Sequence, residues 1–395
     1  MARNELAIAI IGGGIGGLAA ALSLVRAGFD AHVYEQAPAL REVGAGIVVT
    51  PNATRILDRL GLGPALAQSS VRPLAWHERR WDDGRTLLRV PLAEAAVATF
   101  GFAYYQCHRA DVQTILAQAL PQRLHLGHRL VGIEERGDRV EARFEKGERV
   151  LADIVVGADG IHSTVRRALF GPDDPRFTGC VAYRGLVQSE RVQNLNLETT
   201  MQRWMGPGKH FVHYFVQSRQ LLNFVCLVEQ DTWTSESWSE RGDVTAARSA
   251  YQGWHPQVRA ILDAQEEIFV WALLDRAPLP RWSVGRVTLL GDACHPMLPF
   301  MAQGAAQAIE DGATLAGILM RDGANVPAAL RAYEAARLPR TARIQALATA
   351  SKTRFHLPDG AAQQERDAQM ASDAADWSLE QSAWIYGHDA AVVRE

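Results

Sequence analysis

With 395 residues, 48% of them hydrophobic and 22% charged, and a formal charge of −3 at pH 7, the chain can build a real core and carries no basic footprint. That length suits two domains or one large domain with an elaborated insert, and the charge excludes a nucleic-acid binder. The four cysteines, Cys107, Cys180, Cys226 and Cys294, are scattered with no C-x-x-C pair; this excludes a cysteine-clustered zinc site and a dense disulfide framework, and suits a reducing cytoplasm.

Residues 6–25 are uncharged and largely apolar, so they mimic a membrane span. Even the helix-dimer glycine spacing is present, in Gly12 with Gly16 and Gly13 with Gly17. A signal peptide would want a basic start and a small-residue cleavage site after its apolar core, whereas this stretch continues straight into a periodic helix and Asp30, so neither span nor leader is expected. Instead 6–11 reads as a buried parallel strand, 18–27 as a helix stopped at Gly28, and 31–34 as a second strand closed by Glu35. A β-α-β unit of this length opens a doubly wound sheet.

Further along, 52–60 reads as a helix ended by the Gly61–Gly63 turn, and 73–90 alternates like strands around Asp82-Asp83-Gly84. A helix over 109–120 places Asp111 where the helix dipole favours a carboxylate. Strands are expected at 130–134, 140–144 and 154–156, the last running into Gly157-Ala158-Asp159-Gly160. From 180 to 271 the aromatic and β-branched runs 211–216 and 221–228 predict antiparallel sheet. A short buried strand at 286–290 precedes an alanine-rich helix over 304–320, and beyond 352 only helix is expected. No internal repeat or low-complexity linker appears, so the sheet-forming pieces are interleaved with the nucleotide-binding ones.

Gly12, Gly14 and Gly17 satisfy G-x-G-x-x-G between a strand and a helix. The first glycine permits the tight turn, the second lets backbone approach a pyrophosphate, and the third allows close helix–strand packing. The helix N-terminus offers free N–H groups to phosphate, and Glu35 can accept from a ribose diol. Two further motifs follow: Asp159-Gly160-Ile161-His162-Ser163-Thr164-Val165-Arg166 matches D-G-x-x-S-x-x-R. Gly291-Asp292-Ala293-Cys294-His295, with Pro299 and Gly304, matches G-D-A-x-H-x-x-x-P-x-x-x-x-G, and Asp311 lies further along the helix.

In this order and at these separations the three motifs resemble the signatures of the single-component flavoprotein aromatic hydroxylases, which include the salicylate, 3-hydroxybenzoate and 4-hydroxybenzoate hydroxylases. The resemblance implies an α/β fold: a Rossmann-like FAD-binding domain from 1–72, 106–175 and 276–350, an interleaved antiparallel β-sheet substrate domain from 73–105 and 176–275, and C-terminal helices from 351–395. It implies bound FAD, NADH or NADPH as transient co-substrate, and molecular oxygen, transferred through a flavin C4a-hydroperoxide to a small phenolic or hydroxypyridine ring, with or without loss of a ring carboxylate. No second G-x-G-x-x-G marks a separate nicotinamide domain. FAD contacts are expected from Gly12, Gly14, Gly17, Glu35, Gly46, Ile47, Arg109, Asp159, Asp292, Gly304 and Ala305, with the 44–48 loop beside the ring. Asp292 would meet a ribityl hydroxyl, and Gly304 and Ala305 would open a helix toward the electron-rich flavin edge, where a positive dipole end stabilises an anion. Pro299 would shape the loop beside the oxygen-reacting carbon.

His210 and Tyr214 are four apart on a strand, so they share a face with Val212 while His213 points away. The stretch around them is similar to the 6-hydroxynicotinate 3-monooxygenases, where a His and a Tyr at this spacing hold substrate. Departures are Val48 and Phe300 in place of further pocket histidines and Met201 in place of a cysteine, which make the pocket less polar. His210, Tyr214 and Pro299 are the expected catalytic residues, and Val48, His210, Tyr214 and Phe300 the substrate pocket. Tyr183 and Arg184 are candidates for its rim, and no metal is expected. The alternative is another flavoprotein of the same scaffold, a reductase or a halogenase, though the Trp-x-Trp-x-Ile-Pro motif of halogenases is absent. Expected partners are a small aromatic substrate and no nucleic acid, in a cytoplasmic monomer or homodimer.

Overall fold

The structure, a computed structural model, describes residues 6–40, 45–232, 241–372 and 378–391; Gly44 lies outside the described residues. A five-stranded parallel sheet runs in the order Val287–Leu289, Ile154–Gly157, Ala7–Ile11, Asp30–Glu35 and Leu124–Leu126, with unbroken apolar runs at Ile154–Gly157 and Ala7–Ile11. Its central side chains, such as Ile8, Ile10, Ile154 and Val155, are fully buried, as a sheet covered on both faces requires. The edge strand Leu124–Leu126 escapes the apolar pattern because its residues are only partly covered.

Helix Ile15–Arg26 begins directly after Gly14, earlier than the expected 18–27, because Gly16 and Gly17 are helical here. The reason is close packing. A Cβ on Gly16 would stand 2.8 Å from the Ala308 Cβ, and one on Gly312 would stand 2.6 Å from the Ala20 Cα. The contacts Gly16–Ala308 and Gly312–Ala20 advance by one turn on each helix. Ile15–Arg26 and Gly304–Asp322 therefore run side by side in the same direction, with their N-termini together.

The middle of the chain forms an eight-stranded sheet in the order Arg241–Gly242, Ile268–Asp275, Arg176–Gln188, Leu221–Glu229, Lys209–Val216, Met201–Gly206, Ala75–Arg80 and Thr86–Pro91. It is not wholly antiparallel: Met201–Gly206 pairs in parallel with Ala75–Arg80, a strand contributed from far earlier in the chain. One face carries Trp204, Phe211, Phe215 and Phe224 in a core with Tyr251, Trp254, Val258 and Ile261 from the helices Val244–Ala250 and Pro256–Asp263 and the turn between them. The other face carries Met205, Val225 and Leu227 and packs toward Phe300 and Phe355.

The helix Val326–Phe355 runs unbroken past position 350, so the domain division expected there falls inside one element. Its alanines, arginines and leucines favour helix, and the element carries Pro339 in its interior without ending before Phe355. Among the described residues no helix is long and apolar enough to cross a membrane.

Candidate active site

The paired helix N-termini open on a cleft that reaches the second face of the eight-stranded sheet. Its volume is about 370 Å³, against about 10–15 Å³ for one water, so it is a ligand-sized space. Gly14, Gly46, Ile47, Arg109, Asp292, Gly304 and Ala305 line one part of it.

The motif glycines divide their work. Gly14 caps the first helix with no side-chain hydrogen bond, and a Cβ there would meet nothing within 4 Å. Gly12, at φ 111°, lies so close to Ala158 that any side chain would strike the Ala158 carbonyl, and a Cβ on Gly17 would strike that of Gly12. Those two glycines shape the turn; Gly14 faces the ligand space. Glu35 accepts from the Gly13 N–H at 2.6 Å and the Ala37 N–H at 2.8 Å, which ties the second strand's end to the glycine loop.

The helix Gly304–Asp322 also lacks a side-chain cap, and a Cβ on Gly304 would find its nearest neighbour, Met297, 3.9 Å away. Two helices thus bring unspent N–H groups and like partial charges to one place, an arrangement that calls for an anion between them. A dinucleotide with a pyrophosphate and an electron-rich ring fits this pair of ends.

Asp159 is placed differently from its neighbours Ala158 and Gly160, which line the cleft. Its carboxylate accepts from the Ser163 hydroxyl at 2.5 Å and the Thr164 N–H at 2.7 Å, capping the helix Thr164–Phe170. Burial raises the pKa of this carboxyl and those hydrogen bonds oppose the rise.

Beneath the Gly304 helix lies a buried ionic network. Arg337 donates to Asp311 at 2.7 Å and to Glu310 at 2.6 Å; Arg340 donates twice to Glu310, at 2.7 and 2.8 Å. Asp311 also accepts from the Gly291 N–H at 3.0 Å and meets the His295 Nε2 at 2.6 Å. His295 is thus a buried positioning residue that ties the Gly291–Ala293 turn, and with it Asp292, to the helix. Cys294, His295 and Asp311 lie close enough to suggest a metal cluster, but the Asp311 oxygens are already committed to Arg337, Gly291 and His295. The helix carrying Arg337 also steadies the loop around Pro299, since Gln345 donates to the Pro296 carbonyl at 2.9 Å.

On the sheet face, His210, Val212 and Tyr214 all line the cleft, with Val48, Met201 and Phe300 around them. His213 points to the opposite core, where burial holds its pKa down to about 3. Gly46 approaches Tyr214 so closely that a Cβ would lie 2.6 Å from the ring, and the Gly46 N–H donates to Asn223 at 2.7 Å. Burial raises the Tyr214 phenol well above its ordinary pKa, with Arg184 opposing. His210 packs against Phe300 at a tilt, their ring centres 5.3 Å apart, and burial, then His356 and Arg203, hold its pKa well down.

Arg184 lines the cleft over the Trp271 ring at 3.8 Å, and burial lowers its pKa to about 9. Tyr183 packs toward the opposite core. Arg203 was not singled out from the sequence. Its register partner is Val212, which puts it on the cleft face beside His210. Arg203 lies over the Phe355 ring at 4.0 Å and 3.4 Å from Glu78, and its guanidinium makes no hydrogen bond among the described residues. Alternation from Met201 was the available signal. His356 gave no local signal: it meets His210, 146 positions away, at 2.6 Å.

The FAD binding domain family model matches residues 5–348. The chain is 42% identical over 394 residues to the 3-amino-4-hydroxybenzoate 2-monooxygenase of Streptomyces platensis, covering 100% of this chain and 98% of that protein. It is 42% identical over 343 residues to the 6-hydroxynicotinate 3-monooxygenase of Pseudomonas fluorescens, 86% of this chain and 89% of that one. The solved structure of Klebsiella pneumoniae HpxO complexed with FAD and uric acid matches with a TM-score of 0.82 at 28% identity over 92% of each chain. A salicylate hydroxylase substrate complex matches with a TM-score of 0.83 at 26% identity over 100% of each.

Proposed function

The chain belongs to the FAD binding domain family and is an FAD-dependent aromatic monooxygenase, and from that premise we propose that it hydroxylates a small aromatic ring bearing both a hydroxyl and a carboxylate. The observation that carries this reading is the pairing of Arg203 and His210 on one face of the sheet, both open to the cleft. Arg203 is ion-paired with Glu78 at 3.4 Å without a hydrogen bond, and its guanidinium is the fork that suits a second carboxylate. His210, held neutral by burial, can accept from the ring hydroxyl. The names of the relatives, 3-amino-4-hydroxybenzoate and 6-hydroxynicotinate monooxygenases, pair the same two substituents on one ring.

In this reading Gly14, Arg109, Asp292, Gly304 and Ala305 hold FAD, with Gly46 and Ile47 beside its ring, and Glu35 and Asp159 order the backbone around it. Bound FAD, reduced by NADH or NADPH, supplies the activation of molecular oxygen. Val48, Met201 and Phe300 keep water from the ring, Tyr214 orients it, and the turn at Pro299 closes the far side. Residues 1–72, 106–175 and 276–350 serve FAD, and 73–105 and 176–275 serve the substrate. The buried free thiols Cys107, Cys180, Cys226 and Cys294 support a reducing cytoplasm as its location, where it acts as a monomer or homodimer.

The test is a panel of hydroxybenzoates, aminohydroxybenzoates and hydroxypyridine carboxylates, each beside its decarboxylated analogue, scored by stimulated NAD(P)H oxidation and incorporation of isotopically labelled oxygen. Carboxylated rings should respond and the analogues should not. Equal responses from both sets would remove the role given to Arg203, and a colourless protein that cannot be reconstituted with FAD would remove the rest.

A further inference from the structure

We propose that His210, His356 and Glu229 form a proton path that carries the ring-hydroxyl proton of the bound substrate to solvent. The inference rests on the aromatic-substrate reading above and adds His356 and Glu229 to the machinery.

The chain of contacts is continuous. His210 Nδ1 lies 2.6 Å from His356 Nε2, and His356 Nδ1 lies 2.9 Å from Glu229 Oε1. His210 and the His356 side chain are almost wholly buried, whereas the Glu229 side chain is 44% exposed, so the path begins inside the molecule and ends in water. His356 is the C-cap of Val326–Phe355, and its backbone carbonyl accepts from the Gly208 N–H at 3.0 Å, so main chain fixes the ring's position.

The contacts also fix which nitrogens carry hydrogen. A carboxylate only accepts, so His356 Nδ1 must be the donor to Glu229. A neutral His356 then has a bare Nε2, which requires His210 Nδ1 to donate to it. His210 Nδ1 being spent, the Nε2 on the opposite edge of the ring is left as a lone pair for the cleft. Both rings are held neutral: burial lowers the pKa of His210 well below its ordinary value and that of His356 to about 4, with Glu229 partly opposing the latter. The charged groups facing the pair are Arg203 at His210, and Glu229 and Lys352 at His356; the Lys352 amine is engaged with the Thr178 carbonyl at 2.6 Å. Phe300 and Phe355 pack against the His210 ring and offer no rival acceptor themselves.

The transfer balances. The substrate O–H bond breaks as His210 Nε2 takes the proton; His210 Nδ1 passes its own to His356 Nε2; His356 Nδ1 passes its own to Glu229, which releases it to water. The ring is left as the phenolate, the electron-rich form that an electrophilic oxygen attacks. Run backward, the same path returns a proton to the product's oxygen and restores both tautomers. His210 is the catalytic residue here, and His356 and Glu229 act through it.

The test uses the oxidised FAD-loaded enzyme without turnover and 4-hydroxy-3-nitrobenzoate as probe, because its phenolate absorbs visible light. After a jump to higher pH, phenolate should appear on the enzyme at least about tenfold more slowly in Glu229→Gln and His356→Gln, with affinity for the probe unchanged. Acetate added to Glu229→Gln should restore the rate by replacing the lost carboxylate. Should His356→Gln lose its flavin, the exposed Glu229→Gln decides. Wild-type rates of phenolate formation in Glu229→Gln overturn the path, even if hydroxylation of the panel substrates is observed. An enzyme that binds no hydroxylated ring overturns the function and the path together.

Discussion

Glu310 and Asp311 beneath the cofactor helix, and His210 and Tyr214 on the substrate sheet, are buried to similar depth, yet the two regions treat charge in opposite ways. Burial alone would raise the pKa of both carboxyls, but Arg337 and Arg340 reverse this for Glu310, and His295 and Arg337 for Asp311, holding each at about 2. On the sheet no counter-ion offsets the burial of His210 or the Tyr214 phenol enough to charge them, so both stay neutral. The difference separates scaffold from chemistry. Groups pinned by ion pairs cannot exchange protons near neutral pH, but they can hold the Gly291–Ala293 turn and the Gly304 helix in fixed relation. A neutral histidine with a spare lone pair is able to move a proton.

The sharpest way to break this contrast is Arg337→Met. It leaves two buried carboxylates short of a partner and should cost about 3–5 kcal/mol in urea unfolding of the FAD-loaded protein; a loss under about 1 kcal/mol would show that the network is not scaffold. Acid probes the same pairs. Glu310 and Asp311 fall from ordinary values of 4.5 and 3.8 to about 2 in the fold. The stability they contribute is therefore present at neutral pH and is lost as pH falls from about 4 toward 2, a decline that Arg337→Met should flatten. Next in size, His210→Gln should lower kcat by about a hundredfold or more while flavin content stays constant; a change in flavin content instead would make His210 scaffold as well.

Arg203→Gln should raise KM for carboxylated rings roughly tenfold to a hundredfold, the range for losing hydrogen bonds to a charged group, and leave simple phenols unaffected. Smallest of all, Ser163→Ala removes a cap from Thr164–Phe170 and should cost about 1 kcal/mol in unfolding, with flavin content unchanged. Flavin loss in that variant would move the Asp159–Ser163 turn from scaffold to cofactor contact.

What could be read in the chain depended on how local the cause was. The turn at Gly12–Gly17 and the one before Asp292 are legible because backbone conformation demands glycine at fixed spacing. His210, Val212 and Tyr214 are legible because a strand alternates. Arg203 was within reach of the same alternation, two residues on from Met201, and its pairing with Val212 bears that side out. His356 needed a contact with a residue 146 positions away. Asp159 sits in a motif that names a residue type without saying where its carboxylate turns, and its oxygens are taken by Ser163, Thr164 and Val165. The start of Ile15–Arg26 was hidden because glycines that look like loop are helical where another helix lies against them.

The long helix Val326–Phe355 acts as a ruler between the two regions. Arg337 and Arg340 near its middle hold the carboxylates, Gln345 and Ser351 touch the loop at Pro296 and Met301, and His356 at its C-terminal end meets His210. Each residue of helix adds about 1.5 Å and about 100° of rotation. Losing a single residue between Gln345 and Ser351 would leave the arginines seated while swinging His356 away from its partner. Spacing along this one rod, more than the identity of most residues on its outer side, is what keeps the proton machinery aligned with the cofactor.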